Sequence, residues 1–141
     1  MQDDRLRVPI DAPYLHAVGL AMICFARLEW DAVWCGEKIQ PGYMQTVRKK
    51  TAGDIARDLI TQAATHADPS VVTSLGAGGA EFKRLVNVRN DIVHANPGTS
   101  TSGEQRLFRS GKEWTIAMID DAADAFVAAG TVLHHHHHNV L

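Results

Sequence analysis

The sequence predicts an all-α fold, a four- to five-helix up-down bundle with a short β-hairpin before the last helix. Apolar residues recur at helical spacing over four stretches of the 141-residue chain. These stretches begin or end at residues that cap or break helices. A turn signal at residues 110–112 separates two short segments of strand character. With 45% hydrophobic and 21% charged residues, the chain is expected to form one globular domain over residues 1–141.

The first two helices are predicted from their ends. Asp11 is a capping acceptor, and a proline two residues later suits a first helical turn, so a long helix is expected over residues 14–38. Pro41-Gly42 breaks it. The second helix begins at Thr51, where an acidic residue three positions later resembles a capping box, and it ends near residue 66.

The helices and loops in the second half of the chain are predicted from residues that end helices. A short helical piece follows Asp68 and is expected to end in the glycine-rich stretch 76–79. A third long helix should occupy residues 80–95, stopped by a proline that disfavours helix at the residue before it. Residues 97–103 are expected to form a solvated loop. After the hairpin, Asp120 is expected to cap the last helix.

Composition narrows the class of protein. The net charge of −2 gives no overall attraction to nucleic acid, so a site for RNA would have to be a local patch. The longest apolar run, residues 18–26, is too short to span a membrane, and the first seven residues are too polar for a secretory signal. Cys24 and Cys35 lie about 16 Å apart along the first helix, beyond disulfide reach. A cytoplasmic protein without membrane contact is expected.

Residues 85–97 carry the most specific functional signal. Four apolar residues in this stretch are expected to face the core: Leu85, Val86, Ile92 and Val93. Asn90 and His94 share one helix face, whereas Arg89 and His94 are about 140° apart on an ideal helix. A purely structural interpretation is available, because a histidine in the last turn interacts with the helix dipole and an arginine can reach a carboxylate at the surface.

The stretch Arg-Asn-Asp-Ile-Val-His, residues 89–94, resembles the Arg-x4-His motif of HEPN domains. The resemblance implies a small helical bundle that pairs as a homodimer and brings two motifs to one cleft. Many such proteins are metal-independent endoribonucleases, including toxins and phage-defence effectors, and others are non-catalytic. Some HEPN toxins carry a tyrosine two residues after the histidine, which a nucleotidyltransferase-type antitoxin modifies. The resemblance implies such an antitoxin as a possible partner, although Asn96 stands at that position here, so modification of that tyrosine would have no acceptor.

The resemblance assigns catalysis to Arg89 and His94, with Asn90 in support. Histidine can exchange a proton near neutral pH, and arginine can hold phosphate charge, so RNA cleavage in a dimer would require no metal and no cofactor. Nearby basic residues are candidates for RNA binding: Lys83, Arg84, Arg106 and Arg109. The alternative function is a non-catalytic module of the same fold that binds a nucleotide, an RNA or a protein partner.

A run of five histidines, His134–His138, precedes the last three residues. It could be native or an added purification tag, and such a run binds divalent metals whatever its origin. The sequence therefore assigns no function to the tail over residues 134–141.

Overall fold

Residues 5–141 are described in this computed structural model. Four long helices form the bundle: α1 (Ala12–Ile39), α2 (Ala52–Ala64), α3 (Pro69–Val93) and α4 (Ile116–His135). A 3₁₀-helix, Tyr43–Lys49, joins α1 to α2, and a short π-helix, His136–Val140, follows α4. Helix α1 packs mainly on α4, and α2 packs mainly on α3, while α1 also contacts α2 and α3 also contacts α4. The predicted mostly helical architecture is confirmed.

The helix starts test the capping predictions. A carboxylate oxygen of Asp11 accepts the Tyr14 backbone N–H at 3.2 Å, as predicted for the start of α1. Thr51 begins α2 with the predicted capping box. The predicted cap of the last helix at Asp120 is wrong, because α4 starts at Ile116 and Thr115 provides the cap. The third strand ends at residue 114, which leaves the β-branched Thr115 free to act as a cap instead of a strand residue.

Helix α3 runs unbroken through the glycine-rich stretch, so the predicted turn at residues 76–79 is wrong. The glycines serve packing. A Cβ atom on Gly79 would lie 3.1 Å from Ile60 Cγ1 on α2, and one on Gly78 would lie 2.9 Å from Leu133 Cδ2 on α4. Small residues on these faces let the neighbouring helices approach closely, and this packing offsets the low helix propensity of glycine.

A three-stranded antiparallel sheet follows α3 and precedes α4 in the sequence. Its strands are β1 (Asn96–Thr99), β2 (Gln105–Arg109) and β3 (Lys112–Trp114), in the order β1-β2-β3. The predicted hairpin is β2-β3. Its turn residues, Ser110 and Gly111, have φ of 53° and 75°, as a type I′ turn requires. The loop predicted from residue 97 is wrong in its first part, since Pro97 lies in β1 opposite Leu107. An edge strand tolerates a proline, which cannot donate a ladder hydrogen bond.

The core lies where α1, α3 and α4 meet. The ring of Phe25 is 5.2 Å from that of Phe126 in an edge-to-face arrangement and 6.1 Å from that of Phe82. Both cysteines are free thiols, as predicted. Burial raises the pKa of Cys35 to about 12, so this thiol stays protonated, and its Sγ donates to the Leu133 carbonyl at 3.3 Å.

A polar cluster holds the 3₁₀-helix against α2. Asp58 accepts a hydrogen bond from the Tyr43 hydroxyl at 2.8 Å and one from Lys50 Nζ at 2.5 Å. Partial burial raises the pKa of Asp58, but the two hydrogen-bond donors outweigh this effect and hold that pKa below its usual value.

Among the described residues, no helix has both the length and the apolar character needed to cross a bilayer.

Candidate functional site

The predicted catalytic residues lie at the carboxyl end of α3. Val93 is the last helical residue, two positions earlier than predicted, and His94 is the C-cap. The His94 backbone N–H donates to the Asn90 carbonyl at 2.9 Å, which closes the final turn. The chain then enters β1. Consequently the His94 residue is exposed at the helix end, while Asn90 is half-buried one turn earlier.

Arg89 points toward α1. Its guanidinium carbon lies 4.6 Å from the centre of the Phe25 ring, a cation–π contact at the edge of the core. Its Nε atom is buried and has no hydrogen-bond partner among residues 5–141, and no ion pair within that range includes Arg89. Burial raises the pKa of the nearby Glu29, and the charge of Arg89 opposes that rise. Arg89 is therefore a cation with unused hydrogen-bonding capacity.

The apolar residues around the motif divide between core and surface. Leu85, Val86 and Ile92 are buried as predicted. The prediction for Val93 is wrong, because this residue is 45% exposed. Ile92 faces the core, and the next residue around the helix faces away from it, so Val93 presents an apolar side chain to solvent next to His94 in sequence.

Within one chain, the motif residues are not joined through their side chains. Among the hydrogen bonds of residues 5–141, none connects Arg89 or the Asn90 side chain to the imidazole of His94. This agrees with the angle between positions 89 and 94 on a helix. The end of α3 is instead held by Arg109 of β2. Its Nη1 donates to the His94 carbonyl at 3.3 Å, and its Nε lies 3.6 Å from Oδ1 of Asp91.

The hairpin adds a shallow surface cavity of about 290 Å³ beside the helix end. It is lined by Asp91, Arg109, Ser110, Lys112, Trp114 and Met118. Two cations and an indole ring in one depression can contact a phosphate and stack with a base. Sequence reasoning did not assign Trp114 to the site. The turn at residues 110–111 was the signal that could have placed it beside Arg109.

Arg106 is occupied by intramolecular contacts. It pairs with Asp11 at 2.5 Å and with Glu104 at 3.0 Å, and its guanidinium lies 4.4 Å from the centre of the Tyr14 ring. The pairing with Asp11 raises the pKa of Arg106 further. These contacts connect β2 to the start of α1, so Arg106 stabilises the fold and its charge is already balanced.

Lys83 and Arg84 are both exposed on α3, one to two turns before Arg89. Arg84 forms a two-pronged pair with Glu81, with Nη2 to Oε1 at 2.6 Å and Nε to Oε2 at 2.8 Å. An exposed pair of this kind adds little stability, so a phosphate could displace Glu81 from Arg84 at little cost.

Comparisons of the chain with protein-family models, curated proteins and solved structures found no match.

Proposed function

We propose that this protein is a HEPN-like, metal-independent endoribonuclease that works as a homodimer, of the kind found among toxins and phage-defence effectors. The observation that carries the proposal is the Arg-x4-His stretch at the free end of α3. There an exposed histidine lies within five residues of an arginine whose Nε has no partner within residues 5–141. An arginine fork with unused donors is suited to phosphate oxygens.

In the proposed reaction, the 2′-hydroxyl of a ribose attacks the adjacent phosphorus and loses its proton to one His94 imidazole. The bond from phosphorus to the 5′-oxygen breaks, and that oxygen takes a proton from a second, protonated His94. The products are a 2′,3′-cyclic phosphate and a 5′-hydroxyl. Arg89 holds the negative charge that builds on the phosphate oxygens. Asn90, on the same helix face as His94, orients the imidazole or donates to the phosphate.

The two proton transfers take place on opposite sides of the phosphorus, and one chain supplies one motif histidine. A symmetric pair of chains would supply His94 and His94 of the partner subunit across the two-fold axis. The exposed Val93 beside this site supports such pairing, because a second copy would cover it. In the proposed complex, the Arg89 guanidinium would swing from the Phe25 ring toward the helix end. Its Nε would then donate to an oxygen of the RNA phosphate.

The proposed RNA path uses the cations on either side of the helix end. Lys83 and Arg84 lie before the site on α3, and Arg109 lies beyond it on β2. Asn96, the first residue of β1, has no hydroxyl, so the proposal does not include control by a nucleotidyltransferase-type antitoxin acting at this position.

The test is cleavage of structured and unstructured RNA in excess EDTA, with folding in EDTA checked by circular dichroism. His94→Ala should lower the cleavage rate by about 100-fold or more. His16→Ala, which removes another exposed helical histidine, is the matched control and should keep wild-type activity. Cyclic phosphate ends are expected on the products. Intact RNA with folded wild-type protein would rule out the enzyme.

The dimer is tested separately with two valine substitutions. Val93→Asp should give monomers and lose cleavage, because a charge would be buried in the proposed contact. Val127→Asp, at a valine that is 54% exposed on α4, is the control and should change neither property. Sedimentation velocity gives the oligomeric state. Cleavage by a monomer, or a Val93→Asp dimer of unchanged affinity, would contradict the proposed site.

A second candidate is favoured by the contact between Arg89 and α1. Arg89 packs on Phe25 close to Glu29, and no hydrogen bond within residues 5–141 links it to His94. In a non-catalytic module, Arg89 would bind a phosphate or carboxylate of a nucleotide, RNA or protein partner, and His94 would only cap α3. Three results together would support this function. The wild-type protein would bind a nucleotide or RNA without cleaving RNA, Arg89→Met would lose that binding, and His94→Ala would retain it.

A further inference from the structure

The histidine-rich tail packs against the bundle. His134 and His135 form the last residues of α4, and the π-helix continues the chain from His136. His136 and His137 are buried, with 6% and 5% exposure. The final residue, Leu141, packs against the hydrophobic core. A tail held in this way places each of its histidines in a different environment.

Three imidazoles lie close together where the tail meets α1, and two of them contact the carboxylate of Asp31. Oδ1 of Asp31 lies 3.0 Å from Nδ1 of His134 and 2.9 Å from Nε2 of His137. One ring nitrogen each of His134, His137 and His138 lies within 4.8 Å of the other two. The ring of His137 also stacks on the Trp34 indole at 6.1 Å, which orients it.

We propose that Asp31, His134, His137 and His138 form a binding site for one divalent transition metal ion of the zinc type. Three imidazole nitrogens and a carboxylate oxygen are ligands that Zn²⁺ prefers in a tetrahedral site. With bonds of about 2.0–2.1 Å, adjacent ligands of such a site are about 3.3 Å apart. The two contacts of Asp31 are close to that separation, and the three histidine nitrogens, which lie within 4.8 Å of one another, would move closer together by rotation of their rings.

The other two histidines of the run are not part of this site. Both ring nitrogens of His136 are engaged, Nδ1 with the Val132 carbonyl at 2.8 Å and Nε2 with Ser74 Oγ at 3.0 Å. His135 is exposed and pairs with Asn139 at 3.2 Å. A site built by the fold therefore differs from a flexible histidine run, in which all five imidazoles would be equivalent.

The proposed ion would join the first and last helices of the chain. Asp31 belongs to α1, and the three histidines belong to α4 and the π-helix. The side chain of Asp31 is 18% exposed, so a metal ion there would bind in a partly dehydrated environment. Such an environment strengthens the electrostatic attraction between the ion and the carboxylate. The site is separate from the proposed ribonuclease site and does not depend on it.

The test is calorimetric titration of metal-free, full-length protein with Zn²⁺. We expect one ion per chain. Asp31→Asn should weaken the affinity at least tenfold, and His137→Ala at least 100-fold. His135→Ala is the matched control, since it removes an imidazole of the same run outside the site, and it should change the affinity less than threefold.

Thermal unfolding gives an independent readout. Zn²⁺ should raise the Tm of the wild type and of His135→Ala, and at the same Zn²⁺ concentration this rise should be smaller in Asp31→Asn, an isosteric variant whose metal-free fold is checked by circular dichroism. Equal losses of affinity in His135→Ala and His137→Ala would overturn the proposal. Unchanged affinity in Asp31→Asn would do so as well, because the ion would then bind to the histidine run without the fold.

Discussion

Replacing Arg89 by methionine should cost the fold nothing, although the proposed function requires this arginine. The variant keeps an unbranched stem on α3 and removes a buried Nε that has no partner within residues 5–141. An unsatisfied buried donor costs about 1–3 kcal/mol. The lost cation–π contact with Phe25 contributed about 0.5–2 kcal/mol, and a methionine sulfur near the ring restores about 0.3–1.5 kcal/mol. With the middle of each range, Arg89→Met should therefore be about 1.5 kcal/mol more stable than the wild type.

The assay is equilibrium unfolding in urea at pH 7, with Arg106→Met as the matched control. Arg106 also stacks on an aromatic ring, that of Tyr14, but it pairs with Asp11 and Glu104. Its replacement leaves two carboxylates without their cation and should lower the unfolding midpoint. The contrast between the two arginines isolates the effect of having acidic partners.

A loss of more than about 2 kcal/mol in Arg89→Met would refute this reasoning, because breaking a buried charge pair is strongly destabilising. Such a result would mean that Arg89 and Glu29 form a structural pair. Arg89 would then be explained by stability, and its unused donor would no longer point to a ligand.

Two further predictions concern stability. Gly76→Ala should raise the free energy of unfolding by about 0.5–1 kcal/mol, because a Cβ there meets nothing within 4 Å, whereas Gly78→Ala should gain less or lose stability. An equal rise in Tm for Gly76→Ala and Gly78→Ala in thermal unfolding would contradict the argument that Gly78 packs closely against α4. Asp58 has a lowered pKa, so its contribution is present at neutral pH and is lost as the pH falls below about 4 and through the folded-state pKa. Asp58→Asn should therefore lower the free energy of unfolding at pH 7 and make it fall less steeply as the pH decreases. Urea titrations at several pH values measure this, and the same pH dependence in variant and wild type would count against the argument.

Several features could be predicted from the sequence because they depend on residues close together in the chain. Asp11 and Thr51 cap helices through backbone groups three residues away. The turn at residues 110–111 requires positive φ, which Gly111 adopts readily and Ser110 adopts at some cost. The Arg-x4-His spacing and the separation of its ends around α3 are likewise properties of one helix. For this reason the helical architecture, the hairpin and the position of the candidate site followed from the sequence.

Other features were decided by the tertiary structure, because they depend on what lies across the bundle. The glycines at 78 and 79 stay helical since α2 and α4 approach them, and a local pattern has no information about that approach. Val93 is exposed because α3 turns it away from the core that buries its neighbour Ile92. Within the described residues, Arg89 Nε has no hydrogen-bond partner because α1 places the Phe25 ring beside the guanidinium. The histidine run becomes a candidate metal site because the fold brings Asp31 to it, about 100 residues away in the sequence.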